Sequence, residues 1–243
     1  MKAVAINSSP HKEKGNTALV LTPFLEGMKE TGADVELYYT RDLKIEPCCG
    51  NLICTIKTPG KCIRKDDMQW LLSKIRAADV LVIATPLYCD GVSGPMKMLM
   101  DRVVPSGQPF FEMQNGRMRH PLRADLKREK PLQLVLVSSC GFWEIESFDP
   151  LLAHIRAFCE NVSMDFAGAL LRPHGATLNA GSAGGARVNE VTGAAREAGR
   201  QLVRDGRMTE ETLEAMSRPL VPKDMFMNSS NIRIQEMLKK AGN

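Results

Sequence analysis

The chain has 243 residues, of which 44% are hydrophobic and 25% charged, and its formal net charge is only +4. That length fits one large α/β domain or one domain with an extension, and it is enough to bury a substantial core. The basic residues are scattered, and no apolar run approaches the roughly 18–20 residues of a membrane span, which argues against nucleic-acid and membrane partners.

The chain contains seven cysteines, an odd number, and several of them lie inside apolar runs. This usage is typical of a reducing compartment rather than of a disulfide scaffold. A predicted strand begins at residue 2, which leaves no room for a signal peptide. We therefore expect a cytoplasmic protein.

Apolar strand-like runs alternate with amphipathic helical stretches through the first two hundred residues. The predicted strands are 3–6, 35–40, 79–84, 132–138 and 164–171. The predicted helices are 17–31, 67–77, 94–104, 150–161 and 188–205. Continuous apolar strands separated by helices indicate a parallel sheet covered on both faces. The pattern predicts a doubly wound five-stranded sheet of order 2-1-3-4-5, with its ligand crevice between strands 1 and 3.

The loop after strand 1 has the composition of an anion site. It reads Asn-Ser-Ser-Pro at 7–10, and Gly-Asn-Thr at 15–17 opens the following helix. The free N–H groups and positive dipole end of that helix, with the hydroxyls of Ser9 and Thr17, suit a monophosphate ester. The loop has neither the P-loop nor the dinucleotide-binding fingerprint. A polar turn with a helix cap is the alternative interpretation.

The loops after strands 3 and 4, residues 85–95 and 139–144, are rich in glycine, serine and aromatic residues. Such loops suit contacts with a flat heteroaromatic ring. In a doubly wound sheet they meet the first loop at the carboxyl edge of the strands, so we expect all three at one site.

Three motifs together resemble the flavodoxin-like NAD(P)H-dependent FMN reductase family. They are Ser-Pro-x-x-x-x-Gly-Asn-Thr at 9–17, Thr-Pro-x-Tyr at 85–88, and Lys97 followed by Asp101-Arg102, within a similarity that covers about residues 2–175. The resemblance implies an FMN bound at the three loops and NAD(P)H as co-substrate. The implied cofactor-binding residues are Ser9, His11, Asn16 and Thr17 at the phosphate, Pro86, Leu87 and Tyr88 against the ring, and Ser139, Cys140, Gly141 and Phe142 on its other side.

His11 departs from the family pattern, because many relatives have arginine at this position. A neutral imidazole donates one hydrogen bond, but it lacks the permanent positive charge and the paired N–H donors of a guanidinium. This predicts weaker FMN retention, or tighter binding at lower pH. An exposed loop histidine without contacts is the alternative.

The segment 47–68 resembles the branch of the family that includes iron–sulfur flavoproteins. The cluster frame of that branch, C-x2-C-x2-C with a fourth cysteine further on, reads Cys48, Asn51, Cys54 and Cys62 in this chain. Four thiolates normally hold a cubane cluster, and Cys49 is a poor substitute because neighbouring side chains point to opposite sides. The sequence therefore favours reduced thiols in a loop over an iron–sulfur cluster or a zinc site, and predicts no resident metal.

The alternation of predicted strands and helices ends at about residue 205. This divides the chain into a flavodoxin-like FMN-binding domain at 1–205 and a C-terminal helical arm at 206–243. A short helix is expected at 209–217 with Thr209 at its start, and Pro219 and Pro222 end it. A last helix is expected at 230–241. We expect the arm to pack on the body or on a second subunit.

The function predicted from the family resemblance is an FMN-dependent oxidoreductase that takes hydride from NAD(P)H and passes electrons to a small molecule (a quinone, a nitro or azo compound, or a flavin) or to a redox protein. No acid–base pair is evident, so we expect no catalytic side chain; backbone N–H groups near Leu87, Tyr88 or Gly141 would stabilise negative charge on the reduced ring. The alternatives are an electron carrier without NAD(P)H turnover and a redox sensor that uses Cys48, Cys49 and Cys54. Relatives place the flavin near a subunit boundary, which implies a homodimer or homotetramer.

Overall fold

The computed structural model describes residues 1–179 and 185–242. Its strands are β1 (Lys2–Asn7), β2 (Asp34–Tyr39), β3 (Val80–Pro86), β4 (Glu112–Gln114), β5 (Arg117–Arg119), β6 (Gln133–Ser139) and β7 (Asp165–Arg172). Its α-helices are α1 (Asn16–Glu30), α2 (Ile53–Ile56), α3 (Met68–Ala77), α4 (Gly94–Asp101), α5 (Asp149–Val162), α6 (Gly185–Asp205), α7 (Glu210–Ser217) and α8 (Lys223–Lys240). None of the helices in this described part is long and apolar enough to cross a membrane.

The main sheet has the strand order β2-β1-β3-β6-β7, and all four pairings are parallel. In order of the long strands along the chain this is 2-1-3-4-5, so the predicted doubly wound topology is confirmed. The chain reverses its direction of winding between β1 and β3, and the loops that follow these two strands leave the sheet at the same edge.

Each central strand sends alternate side chains to opposite faces of the sheet. Val4 and Ile6 of β1 pack in one apolar layer with α3, α4 and α5, whereas Ala3 and Ala5 pack in the other with α1 and α6. Because both faces are covered, the strands are apolar throughout rather than in alternation.

Helices α1 and α6 approach each other so closely that two glycines face backbone atoms. A Cβ atom at Gly27 would lie 1.9 Å from the carbonyl oxygen of Arg196, and one at Gly199 would lie 2.1 Å from that of Phe24. No side chain fits at either position, so the two glycines set the distance between the helices.

The structure corrects two sequence-based helix boundaries and adds one hairpin. The helix predicted at 94–104 ends at Asp101, and the helix predicted at 230–241 begins earlier, at Lys223. The polar insert 105–131, for which no structure was predicted, contains the antiparallel hairpin of β4 and β5. Its turn has Asn115 and Gly116 at positive φ of 50° and 73°, and an Asn-Gly pair is a strong hairpin signal that the short strands obscured.

The expected arm begins by packing on the body. Thr209 caps α7 by accepting a hydrogen bond from the N–H of Thr212, as the sequence predicted. Met216 of α7 is buried, and the Gln201 side chain of α6 donates to Thr212. The division of the chain at residue 205 stays a prediction.

Candidate functional site

The loop after β1 folds back over the N-terminus of α1. The side-chain oxygen of Asn7 accepts a hydrogen bond from the N–H of Ser9 at 2.9 Å, and the Ser9 hydroxyl lies close enough to Gly15 that a Cβ there would approach it to 2.4 Å. No side chain of the described residues caps α1, so N–H groups of its first turn keep the capacity to bind an anion. Ser9 and Thr17 are buried beside this helix end, while His11 is exposed.

Hydroxyl groups join this loop to the two others. The Ser8 and Ser93 hydroxyls lie 2.7 Å apart, and the hydroxyls of Thr17 and Ser139 lie 2.9 Å apart. These contacts bring the loops after β1, β3 and β6 to one edge of the sheet, as the sequence predicted. Sequence reasoning did not single out Ser8 and Ser93, because their contact spans 85 positions and no spacing rule reports it.

The loop after β3 is held by a tight turn. Tyr88 and Gly91 exchange two backbone hydrogen bonds of 3.1 Å, and between them Cys89 and Asp90 take positive φ values of 47° and 61°. Such values are costly for residues with a Cβ and concentrate at functional sites. The turn leaves the Tyr88 ring exposed, whereas Pro86 and Leu87 are buried beneath it.

Two N–H groups at the start of this loop donate hydrogen bonds to backbone carbonyls. Leu87 donates to the carbonyl of Ser139 at 2.9 Å, and Tyr88 donates to Gly91. The N–H groups of Leu87 and Tyr88 themselves are therefore engaged within the protein. That N–H groups near Leu87, Tyr88 or Gly141 stabilise negative charge on a reduced ring stays a prediction.

Backbone hydrogen bonds join the loop after β6 to the end of β7 and the residues that follow it. Cys140 donates its N–H to Arg172 and accepts from Gly175, and the N–H of His174 donates to the carbonyl of Phe142 at 2.6 Å. Ser139 and Cys140 are buried, and burial raises the pKa of the Cys140 thiol, so it packs as a neutral group. Gly141 and Phe142 are exposed at the same edge.

Two side chains at the end of β7 join distant segments of the chain. Arg172 and His174 are both fully buried, and the Arg172 guanidinium donates to the carbonyls of Met216 and Arg218, each at 2.9 Å. The chain segment between α7 and α8 is thereby tied to the β6 loop. No periodicity could have indicated this, because the contacts join residues 44 and 46 positions apart.

The cysteine segment does not fit a four-thiolate cluster. The Asn51 side chain, at the second ligand position, donates a hydrogen bond to the Cys49 sulfur at 3.1 Å, and the Arg102 guanidinium approaches the Cys62 sulfur at 3.5 Å. Within residues 1–179 and 185–242, no group of three or more His, Cys, Asp or Glu side chains is arranged to hold a metal ion. The buried Asp66–Arg102 ion pair anchors this segment to the end of α4 instead.

The sequence profile described as NADPH-dependent FMN reductase matches residues 1–124, just over half of the chain. An iron–sulfur flavoprotein of Methanocaldococcus jannaschii is 39% identical over 105 residues, which are 43% of this chain and 53% of that protein. One of Archaeoglobus fulgidus is 39% identical over 120 residues, or 49% of this chain and 55% of the relative. The matches therefore span about half the length of these curated relatives.

Solved structures share the fold. An FMN-dependent NADH-azoreductase of Bacillus anthracis in complex with FMN superposes with a TM-score of 0.61 at 15% identity, covering 84% of this chain and 99% of that one. An NAD(P)H:quinone oxidoreductase of Methanothermobacter marburgensis gives a TM-score of 0.57 at 19% identity, covering 83% and 96%. At these identities the likeness establishes the fold.

Proposed function

Because this chain belongs to the NADPH-dependent FMN reductase family, we propose that it binds FMN at the carboxyl edge of its sheet and transfers electrons from NAD(P)H to a second acceptor. The observation that supports this best is the pair of hydroxyl contacts, Ser8 with Ser93 and Thr17 with Ser139, that join three loops beside the N-terminus of α1. When bound, FMN supplies hydride acceptance from a reduced nicotinamide and onward electron transfer.

The phosphate fits the first loop. The uncapped start of α1 offers N–H donors, and Ser9, Asn16 and Thr17 add polar groups at the same end. The Ser9 hydroxyl lies so close to Gly15 that this position of the loop has no room for a side chain. Asn7 adds a buried side-chain nitrogen that has no hydrogen-bond partner among residues 1–179 and 185–242, a donor that a bound polar group would satisfy.

The ring fits between the second and third loops. Tyr88 in the second loop and Phe142 in the third are both exposed, and both can cover a flat heteroaromatic ring and exclude water from it. Pro86, Leu87, Ser139 and Cys140 are buried, so their role is to support these loops from below. This chain then contributes position and exclusion of water, and no side chain has to act as acid or base.

The acceptor is proposed to be a small molecule of the quinone, nitro or azo class. The structural neighbours named as azoreductase and quinone oxidoreductase support this choice, and a formal net charge of +4 argues against a carrier that docks basic partners. We further propose that the chain represents a branch related to iron–sulfur flavoproteins in which Asn51 replaces a cluster ligand. A cytoplasmic location follows from the cysteine usage and is proposed with it.

The test is reconstitution of the purified full chain with FMN, followed by anaerobic addition of NADPH or NADH. We expect saturable FMN binding with quenched flavin fluorescence, and bleaching of the bound flavin by at least one nucleotide. Thr17→Val, which removes the hydroxyl that contacts Ser139, is expected to weaken FMN binding, whereas Thr192→Val on α6 is the matched control and leaves it unchanged.

Two results would overturn the proposal. A chain that takes up no FMN is not a flavoprotein, and a bound flavin that neither nucleotide reduces indicates an electron carrier. Iron assay on anaerobically prepared protein tests the cysteine segment separately, and about four iron atoms per chain would contradict the role given to Asn51.

A further inference from the structure

A polar cavity lies between the cysteine segment and α3, apart from the candidate flavin site. Its volume is about 440 Å³, and it is lined by residues from the loop 59–62, from α3, from the end of α4 and from the insert 105–131. Arg76 lies in the last turn of α3, four positions before β3 begins at Val80, and so at the amino edge of the sheet. The candidate flavin site lies at the opposite, carboxyl edge, so the two sites have no loop in common.

Cationic side chains outnumber acidic ones in this cavity. The cationic lining residues are Lys61, Arg76, Arg102 and Arg123. Asp125 is the one acidic lining residue within the part of the chain that the structure describes, and it pairs with Arg123. Arg102 is neutralised by its buried ion pair with Asp66. Lys61 and Arg76 have no ion-pair partner among residues 1–179 and 185–242, so two positive charges remain without a carboxylate.

The hydrogen bonds of the Arg76 guanidinium are incomplete. Its Nε donates to the Ser106 hydroxyl at 3.2 Å, and its Nη1 donates to the carbonyl of Gly60 at 3.3 Å. Its Nη2 is buried and has no hydrogen-bond partner among the described residues. Burial, reinforced by the charge of Arg123, lowers the pKa of Arg76. A buried donor without an acceptor and a guanidinium without a carboxylate both cost free energy, which a bound anion would recover.

Arg123 approaches the same glycine from the insert. A Cβ atom at Gly60 would lie 3.1 Å from the guanidinium carbon of Arg123. The Arg123 Nε pairs with Asp125 at 3.1 Å, but the Asp125 side chain is 63% exposed and therefore well solvated. Two guanidinium groups from distant segments thus converge on Gly60, and their mutual repulsion falls when an anion lies between them.

We propose that this cavity binds the phosphate group of a soluble molecule between Arg76 and Arg123, with Lys61 at its exposed rim. Guanidinium groups bind phosphate oxygens through paired N–H donors, and a phosphate dianion matches the two positive charges that the ion pairs leave. The cavity volume lies in the range of about 300–1,000 Å³ that is usual for small-molecule sites. Gln69 and Ser73 of α3 line the same cavity and offer hydrogen bonds to the rest of the molecule.

Two arginines of the insert form a matched pair for testing this site. Arg123 lines the cavity, whereas Arg119 pairs with Glu160 on α5 and is not among the described residues that line it. The full chain is titrated with inorganic phosphate against potassium chloride of equal ionic strength, and the melting temperature is measured. Saturating FMN is present, so that the phosphate loop after β1 is occupied. We expect phosphate to raise the melting temperature of the wild type and of Arg119→Gln, and to bind Arg123→Gln at least about tenfold more weakly.

Arg76→Gln provides a second measurement. Because Arg76 has no carboxylate partner in the described part of the chain, its replacement leaves no buried charge unpaired. We therefore expect this variant to fold, and to melt in chloride close to the wild type, but to lose the rise in melting temperature that phosphate causes.

Three results would overturn the proposal. One is a wild-type chain whose melting temperature does not respond to phosphate, and another is an equal response of the wild type, Arg76→Gln and Arg123→Gln. The third is sedimentation of the wild type with vesicles of phosphatidic acid and phosphatidylcholine without any response to free phosphate, since the ligand would then be a lipid headgroup. The comparison of Arg123→Gln with Arg119→Gln can be made with or without FMN, so failure of flavin binding would leave this test standing.

Discussion

Arg172 and His174 make a contact of 2.5 Å between guanidinium Nη2 and imidazole Nε2, with both side chains fully buried. A guanidinium only donates hydrogen bonds, so Nε2 of His174 must accept and the ring must be neutral. Burial, reinforced by the nearby Arg172 charge, lowers the pKa of His174 to about 4. This pair ties the chain after α7 to the loop at the candidate site, and its chemistry makes that connection sensitive to acid.

The first prediction concerns stability against pH. The unfolded chain binds a proton at His174 below about pH 6.5, whereas the folded chain does so only below about pH 4. The free energy of unfolding therefore falls as the pH drops from about 6.5 to about 4, by up to about 3 kcal/mol from this residue, and does not fall further on its account below that range. His174→Gln keeps an acceptor for Arg172 without titrating, so its unfolding free energy should depend less on pH in this window. Equal pH dependence of the two proteins in urea titrations would contradict the assignment.

The second prediction concerns Arg172 itself. Arg172→Lys replaces a guanidinium whose Nη1 donates to the carbonyls of Met216 and Arg218 while Nη2 contacts His174, and one ammonium cannot reproduce all three contacts, so the free energy of unfolding should fall by about 2–4 kcal/mol. Limited proteolysis should then cut between residues 207 and 222 faster than in the wild type, because this segment loses its attachment. Arg204→Lys is the control, since Arg204 is exposed and pairs with Asp205 and Glu197 at the surface. Comparable protection of the segment in both variants would rule out the anchoring role.

The third prediction tests the phosphate loop without disturbing the fold. Gly15 has a φ of −80°, which any residue adopts, but a Cβ there would press against the Ser9 hydroxyl at 2.4 Å. Gly15→Ala should therefore fold with nearly unchanged thermal stability and bind FMN at least about tenfold more weakly, a loss of about 1.4 kcal/mol. Fluorescence titration with FMN measures the affinity, and unchanged affinity would remove Gly15 and Ser9 from the site.

The fourth prediction concerns the contact between α1 and α6, for which α6 contains its own control. Gly199→Ala forces a methyl group against the carbonyl of Phe24, so we expect a loss of about 1–3 kcal/mol or failure to fold. Gly193→Ala, on the same helix with open space around it, should instead raise the melting temperature, by the equivalent of about 0.5–1 kcal/mol. Equal melting temperatures of the two variants would show that α1 and α6 are not in backbone contact at Gly199.

The sequence by itself determined the sheet and the edge that carries the site. Continuous apolar runs that alternate with helices predicted a parallel sheet covered on both faces, and the order 2-1-3-4-5, taken from doubly wound sheets with a ligand loop after strand 1, is confirmed by the structure. The same topology brings the ends of β1, β3 and β6 together, which is why Thr17 and Ser139 could be assigned to one site although 122 positions separate them.

Only the tertiary structure decided which polar groups inside that edge meet. Ser8 with Ser93, Asn16 with Asn179, and Arg172 with the carbonyls after α7 are contacts between distant segments, whose geometry depends on side-chain packing and not on any local period. The sequence also does not show that Gly27 and Gly199 lie against the backbone of a facing helix. A glycine inside a helix is expected to lower helix stability, and its role in packing is known only when the facing backbone has been located. Hydrophobic patterning determines which segments must be buried together, and the pairing of individual buried donors and acceptors is settled only when those segments have packed.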